Sequence, residues 1–396
     1  MIAPLAKFID WCVIQAVPLG ISPRKCDQNN TKLTEAIEFL NGPNFIPAES
    51  KPAELEFTSD IHFKFPSPRP CEFAENNVVH GRLYRCPDAW QKRPVIVLLH
   101  GGQEYLHYRF GYALLARRCN RAGFNAATLV APYHFQRRVR RIESDQLRSA
   151  EPMRLAEPFE LVLDHLRSAE AIGQAVAEIR ALTGWLLERG CPSVALLGLS
   201  FGAWLAGLAA TRDSRLKAIV LGVPRVRSNY PVLRGEGVLW TPVRKALERR
   251  KAALEAWDTT PSNLTLSQPV IPKENILFIR GRYDFLASPE SIEELWQKWD
   301  QPEIWRLPHG HISSIFTLGL TNRVLRWLAP RLDKPFSPGR RTPPNTARGC
   351  VKSADMNFGN DHIFDMANFD ETSRWIGWSK NEFSHSLALE PTATAP

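Results

Sequence analysis

Along the middle of the chain, short uninterrupted apolar runs alternate with longer stretches whose apolar residues recur at helical spacing. The apolar runs at 94–99 (P-V-I-V-L-L), 124–130, 191–197, 216–222 and 275–280 predict strands, and a uniformly apolar run is the mark of a strand buried on both faces. Helical periodicity covers 110–122, stopped by Gly123, and 161–189, where Ala169, Ile172, Val176, Ile179, Leu182 and Leu186 fall at core spacing before Gly190 and Pro192. A helix follows the third run to about Asp213, another spans about 288–299, a short strand covers 303–307, and a last helix runs to about Leu328. Upstream, 55–66 alternates apolar and polar residues before breaking at P-S-P-R-P and predicts an early antiparallel strand; 76–84 is another strand candidate. This alternation implies an α/β fold: a mainly parallel twisted sheet with right-handed crossovers and helices on both faces.

Two interruptions divide the chain. Residues 223–272 hold no central-strand pattern but a well-marked helix, with Thr241 as N-cap, Pro242 in the first turn and V-R-K-A-L-E-R-R-K-A-A-L-E-A-W following. An insertion there overhangs the strand ends as a helical cap, and its face of Val243, Leu247, Leu254 and Trp257 suits either packing on the core or lining an acyl pocket. Beyond Arg331 the chain turns rich in proline and glycine and then polar, so a disordered C-terminal tail is expected. The resulting division is an N-terminal helical extension at 1–54, a main domain at 55–332 with its cap at about 223–272, and a low-order tail at 333–396.

At the N-terminus, Leu5, Phe8, Ile9, Cys12, Val13 and Ala16 share one face of a helix ending before Pro18, interrupted by Lys7, Asp10 and Gln15. The segment is too broken for a signal peptide and too short to span a bilayer. Its apolar face fits packing against the domain or peripheral contact of residues 1–20 with a membrane surface, which periodicity does not separate. Charge changes little: 50 Lys+Arg against 41 Asp+Glu give a formal +9, and no zinc-finger spacing or aromatic RNA-binding pattern supports nucleic-acid binding. Seven scattered cysteines without a C-x-x-C pair argue against a disulfide framework and a metal site, and for a reducing, cytoplasmic compartment.

The chemistry concentrates at strand ends. After the third apolar run comes Gly198-Leu199-Ser200-Phe201-Gly202, a strand–turn–helix sequence whose turn holds a serine hydroxyl clear of the sheet and needs glycine on both sides. By itself the pattern would occur by chance in roughly one chain in ten of this length, so its surroundings must decide. His100-Gly101-Gly102-Gln103 follows the first central strand and can expose backbone N–H groups beside a nucleophile. Asp284 and His311 follow the last two strands, giving the order Ser, Asp, His at one edge of a parallel sheet. His309 competes with His311. His100 suits anchoring its own loop, His134 the pocket rim, and Arg137, Arg138, Arg140 and Arg141 either a solvated charge run or a seat for a phosphate or carboxylate of the substrate.

With H-G-G upstream and G-L-S-F-G at the elbow, this order resembles the α/β-hydrolase superfamily over about 55–332, and V-A-P-Y-H-F-Q-R-R looks like a poorly characterised branch near the lysophospholipases and esterases. The resemblance implies Ser200 as nucleophile, His311 as base, Asp284 as the orienting acid, and the N–H groups of Gly102 and Phe201 as oxyanion donors. It implies a small-molecule or lipid ester as substrate and no cofactor; independently of it, the loop after the second buried strand lies on the serine's edge of the sheet, which makes His134 and Arg137 candidate substrate contacts. Gly310-His311 matches the family's Gly-His, whereas Ile312 precedes the small Ser313. The competing classes are a non-catalytic binding protein of the same fold and a membrane-surface acylhydrolase or acyltransferase.

Overall fold

The computed structural model describes residues 3–16, 32–102, 111–138, 165–227, 251–284 and 286–332, all within the compact unit Met1–Arg340. The apolar runs become strands: β1 (Glu56–Phe57), β2 (His62–Pro66), β3 (Val78–Tyr84), β4 (Val95–Leu99), β5 (Asn125–Leu129), β6 (Val194–Leu199), β7 (Leu216–Gly222), β8 (Ile276–Gly281) and β9 (Glu303–Leu307). Among the described residues they form one sheet in the order β1-β2-β3-β5-β4-β6-β7-β8-β9. Strands β1, β2 and β3 pair antiparallel, β3 pairs antiparallel with β5, and every pairing from β5 through β9 is parallel. The helices are α1 (Ala3–Ala16), α2 (Leu33–Asn41), α3 (Tyr112–Arg121), α4 (His165–Glu188), α5 (Phe201–Ala210), α6 (Lys251–Trp257), α7 (Pro289–Lys298) and α8 (Leu320–Arg331).

Strand β4 shows why continuous apolar runs were needed. Val95, Val97 and Leu99 join a core with α2, α4, α5 and α7, whereas Ile96 and Leu98 face the core formed with α3 and α8. Each such side chain removed from water stabilises the fold by about 1.5–3 kcal/mol. The same division recurs in β6, with Val194 and Leu196 on one face and Ala195 and Leu197 on the other. The sheet is therefore covered on both sides by helices and leaves its strand ends for chemistry.

Three local readings change. The single early strand at 55–66 is a pair, β1 and β2, because the polar Thr58-Ser59-Asp60 run turns: Thr58 N–H donates to the His62 carbonyl at 2.9 Å and His62 N–H to Ser59 Oγ at 3.0 Å. The described half of 223–272 runs along α5 and α7. Trp204 Nε1 donates to the Ser262 carbonyl at 2.8 Å, Val270 N–H to the Ala210 carbonyl at 2.8 Å, and Trp257 and Leu264 are buried in the core. Thr241, Val243 and Leu247, like the tail 333–396, lie outside the described residues. Helix α1 meets the domain through Ala6 and Asp10, which have no exposed surface, while Leu5 and Phe8 of the expected packing stripe are 46% and 57% exposed.

Among the described residues no helix is long and apolar enough to cross a membrane, and no group of His, Cys, Asp and Glu is placed to hold a metal ion. Cys71, Cys86, Cys119 and Cys191 are free thiols.

Candidate active site

The chain enters the parallel part of the sheet at β4, steps to β5 on one side, and returns to the other side at β6. Such a reversal opens a crevice at the carboxyl ends of the two strands that flank it. Here those strands are β4 and β6, paired so that Leu99 lies opposite Gly198. The loop after β4 carries His100, Gly101 and Gly102, and the turn after β6 carries Ser200, so topology alone brings the two together.

The turn itself is strained as an elbow requires. Ser200 has φ 51° and ψ −110°, a conformation that side-chain-bearing residues rarely adopt. Its N–H donates to the Gly222 carbonyl at 2.8 Å, and its carbonyl accepts from Trp204 N–H at 3.1 Å as α5 begins. A Cβ on Gly198 would come within 2.3 Å of the Gly202 carbonyl oxygen, and one on Gly202 within 2.3 Å of the Leu99 carbonyl oxygen. The two glycines are thus what lets β6, α5 and β4 approach closely enough to present the half-buried hydroxyl.

At the other strand ends the structure brings Asp284 and His311 to this serine. His311 Nε2 lies 3.0 Å from Ser200 Oγ, and His311 Nδ1 lies 2.8 Å from Asp284 Oδ2. The remaining Asp284 oxygen, Oδ1, accepts from the Leu286 and Ala287 N–H groups at 2.9 and 2.8 Å. With both carboxylate oxygens engaged and the side chain buried, Asp284 accepts from Nδ1–H and leaves Nε2 as the basic nitrogen. His309 is not part of this chain of contacts; its Nδ1 has no hydrogen-bond partner among the described residues, and burial lowers its pKa.

His100 is fully buried between the β4 and β5 loops. Its Nδ1 donates to the Gly101 carbonyl at 2.7 Å and its Nε2 accepts from Ala131 N–H at 3.0 Å, an arrangement that needs the neutral ring. Burial lowers its pKa to about 3, so the imidazole stays uncharged while it ties the loop carrying Gly102 to the next strand. Gly102 faces open space where a Cβ would sit. Phe201 is the first residue of α5, directly after the elbow serine.

The two expected substrate contacts fare differently. His134 is buried beside the elbow, its ring stacked on Phe201 at 5.6 Å between centroids and its Nδ1 2.8 Å from the Pro132 carbonyl. Arg137 is a correction: it does not reach the crevice. Its guanidinium has no exposed surface and makes a two-pronged ion pair with Glu178 of α4, Nη1 to Oε2 at 2.7 Å and Nη2 to Oε1 at 2.7 Å. It also donates to the Val130 and Asn76 carbonyls. Its charge is neutralised inside the fold and holds the β5 loop to α4. Arg140 and Arg141 lie outside the described residues.

One residue at the site escapes sequence reasoning. Asp10 of α1 accepts from the backbone N–H groups of His311, Ile312 (3.0 Å) and Ser313 (3.4 Å). In the sequence it is only an acid interrupting an apolar helix.

No family model matches the sequence. Two Mycobacterium tuberculosis proteins, both named only as uncharacterized, from strains CDC 1551 / Oshkosh and ATCC 25618 / H37Rv, are each 28% identical over 254 residues, covering 62% of this chain and 55% of the relative. The chain thus spans about half the length of the curated relatives it matches. Among solved structures, acetyl xylan esterase 1 from Thermoanaerobacterium sp. JW/SL YS485 matches with a TM-score of 0.50 at 13% identity, covering 76% of this chain and 93% of that one. An esterase of Pyrobaculum calidifontis matches with a TM-score of 0.46 at 16% identity over 84% of this chain and 97% of that one. With six parallel strands, helices on both faces and the sharp turn at Ser200 in the sheet's central crevice, the chain has the α/β-hydrolase fold.

Proposed function

We propose that the chain is a serine hydrolase that cleaves a carboxylic ester of a small-molecule or lipid acyl compound through an acyl-enzyme on Ser200. The observation that carries the reading is the continuous Ser200–His311–Asp284 relay at 3.0 and 2.8 Å. As Ser200 Oγ attacks the ester carbonyl carbon, its proton passes to His311 Nε2 and the carbonyl pair moves onto oxygen. That oxyanion is received by the N–H groups of Gly102 and Phe201. Collapse expels the alkoxide, which takes the proton back from Nε2 and leaves as alcohol. Water then attacks the acyl-serine by the same route, releasing the acid and restoring Ser200. The acetyl xylan esterase neighbour, named for an ester substrate, is consistent with this reaction class.

Labelling by a fluorophosphonate and turnover of p-nitrophenyl acetate test the reading. Ser200→Ala is expected to abolish both, and a screen of acyl chain lengths then assigns the acid. Wild-type protein that is folded yet neither labels nor turns over any ester would instead be a binding protein of this fold. A second reading, hydrolysis at a membrane surface, is favoured by the exposure of Leu5 and Phe8 on α1, 46% and 57%. Co-sedimentation with phosphatidylcholine vesicles that survives Leu5→Ser/Phe8→Ser unchanged overturns that assignment.

A further inference from the structure

Helix α1 and the turn after β9 are far apart in sequence, yet Asp10 and His311 touch across 301 positions. The turn begins a short 3₁₀ segment, Ser313–Phe316, whose first N–H groups have no partner within the segment. Asp10 Oδ2 receives the His311 N–H, and Oδ1 receives those of Ile312 and Ser313, at 3.0 and 3.4 Å. The remaining contacts of the turn are its own: Gly310 N–H donates to Ser313 Oγ at 2.9 Å and Ser314 Oγ to the Gly310 carbonyl. Residue 310 is glycine for the same reason, since a Cβ there would lie 2.2 Å from Asp10 Oδ2. A fully buried carboxylate is costly unless it is matched by donors, and here it is matched by three backbone donors of one turn.

We propose that Asp10 is a positioning residue of the hydrolytic site: from α1 it clamps the backbone of the turn that carries His311 and so aims the imidazole at Ser200. This inference rests on the serine-hydrolase reading for its kinetic consequence but not for its geometry. The clamp gives α1 a buried polar contact with the domain beside the buried Ala6. It also makes the N-terminal helix part of the active-site framework, and so a segment whose docking state sets whether the relay is assembled.

The clamp has an electrostatic side. Among the described residues, the titratable and hydroxyl groups facing His311 are Asp284 at Nδ1, Ser200 at Nε2 and Asp10 behind its backbone, with His309 on the same turn. Burial raises the Asp10 pKa, its bond from His311 N–H works against that rise, and the Asp284 charge adds to it. When ionised, Asp10 is a second anion favouring the imidazolium. Removing that charge therefore lowers the His311 pKa.

The test compares wild type with Asp10→Asn, which keeps the size but offers an amide to the same donors, and with Gly310→Ala, which displaces the carboxylate while keeping its charge. With circular dichroism unchanged, kcat for p-nitrophenyl acetate is expected to fall on the order of 10- to 100-fold in both variants, as for a group misplaced by about 1 Å, with KM little altered. Asp10→Asn also shifts the acid limb of kcat/KM to lower pH, whereas Gly310→Ala does not. In an Asp10→Ala background, which removes the obstructing carboxylate, Gly310→Ala costs less than it does alone. Nitrogen-detected NMR of the His311 ring gives a readout independent of turnover: its titration midpoint falls in Asp10→Asn. An unchanged midpoint together with wild-type kcat overturns the proposal. Loss of all turnover in the wild type, with the NMR shift present, leaves the clamp standing and removes the hydrolase reading. If Asp10→Asn does not fold, Gly310→Ala decides, and wild-type kcat in that variant refutes the clamp.

Discussion

Arg137 and Glu178 form a two-pronged ion pair with no solvent on the arginine, the two N–O distances both 2.7 Å, between the β5 loop and α4. Ser67 Oγ adds a third hydrogen bond to Glu178 Oε1 at 2.6 Å, so the carboxylate is well satisfied. Removing one partner strands the other charge in the core, and Arg137→Met is expected to lower the unfolding free energy by about 3–5 kcal/mol. Replacing both, as Arg137→Met/Glu178→Leu, is expected to cost less than either single change. Urea denaturation of the four proteins checks this. If Arg137 held a substrate anion instead, KM for an anionic ester would rise selectively, and it is expected not to.

The elbow glycines carry a steric prediction. Gly198→Ala and Gly202→Ala each drive a Cβ to 2.3 Å from a backbone oxygen that belongs to a neighbouring element and cannot swing aside. Each is expected to destabilise by about 3 kcal/mol and to lose fluorophosphonate labelling. Gly102→Ala, where a Cβ meets open space, is expected to fold like the wild type. Thermal melts of the three variants discriminate the sites.

His100 predicts an acid-sensitive fold. Its pKa is lowered by burial to about 3, against an ordinary value of 6.5 in the unfolded chain. The unfolded state therefore binds the extra proton first, and the stability held by the neutral ring is full above pH 6.5 and is lost as pH falls from 6.5 towards 3. Stability measured by urea over this range is expected to decline with falling pH. His100→Ala flattens this dependence and, by removing the acceptor of the Ala131 N–H, destabilises at neutral pH by about 1–3 kcal/mol.

The two histidines after β9 separate cleanly. His311→Ala is expected to lower kcat for p-nitrophenyl acetate by about 10³-fold or more, since the serine then lacks its proton acceptor. His309→Ala is expected to stay within about twofold, because its Nδ1 makes no hydrogen bond among the described residues.

Local sequence determined the central strands and helices and their order, though not the split of 55–66 into β1 and β2. Uninterrupted apolar runs such as P-V-I-V-L-L can only be satisfied between two helical layers, and parallel strands joined by crossovers must all end at the same edge, which is why Ser200, Asp284 and His311 could be nominated from their places after strands. Glycine at 198 and 202 was equally legible, because backbone crowding at a sharp turn is a local matter. What tertiary structure alone decided is where charges find their partners. Arg137 read as part of a solvated charge run or as a seat for a substrate anion and is buried because Glu178, 41 positions away, arrives beside it. Asp10 read as a flaw in an apolar stripe and is a buried contact of α1, because three backbone N–H groups 301 to 303 positions away meet its carboxylate. Periodicity reports that a helix has faces, but a buried charge is stable only against donors or counter-charges that long-range packing supplies, and no window of local sequence contains them.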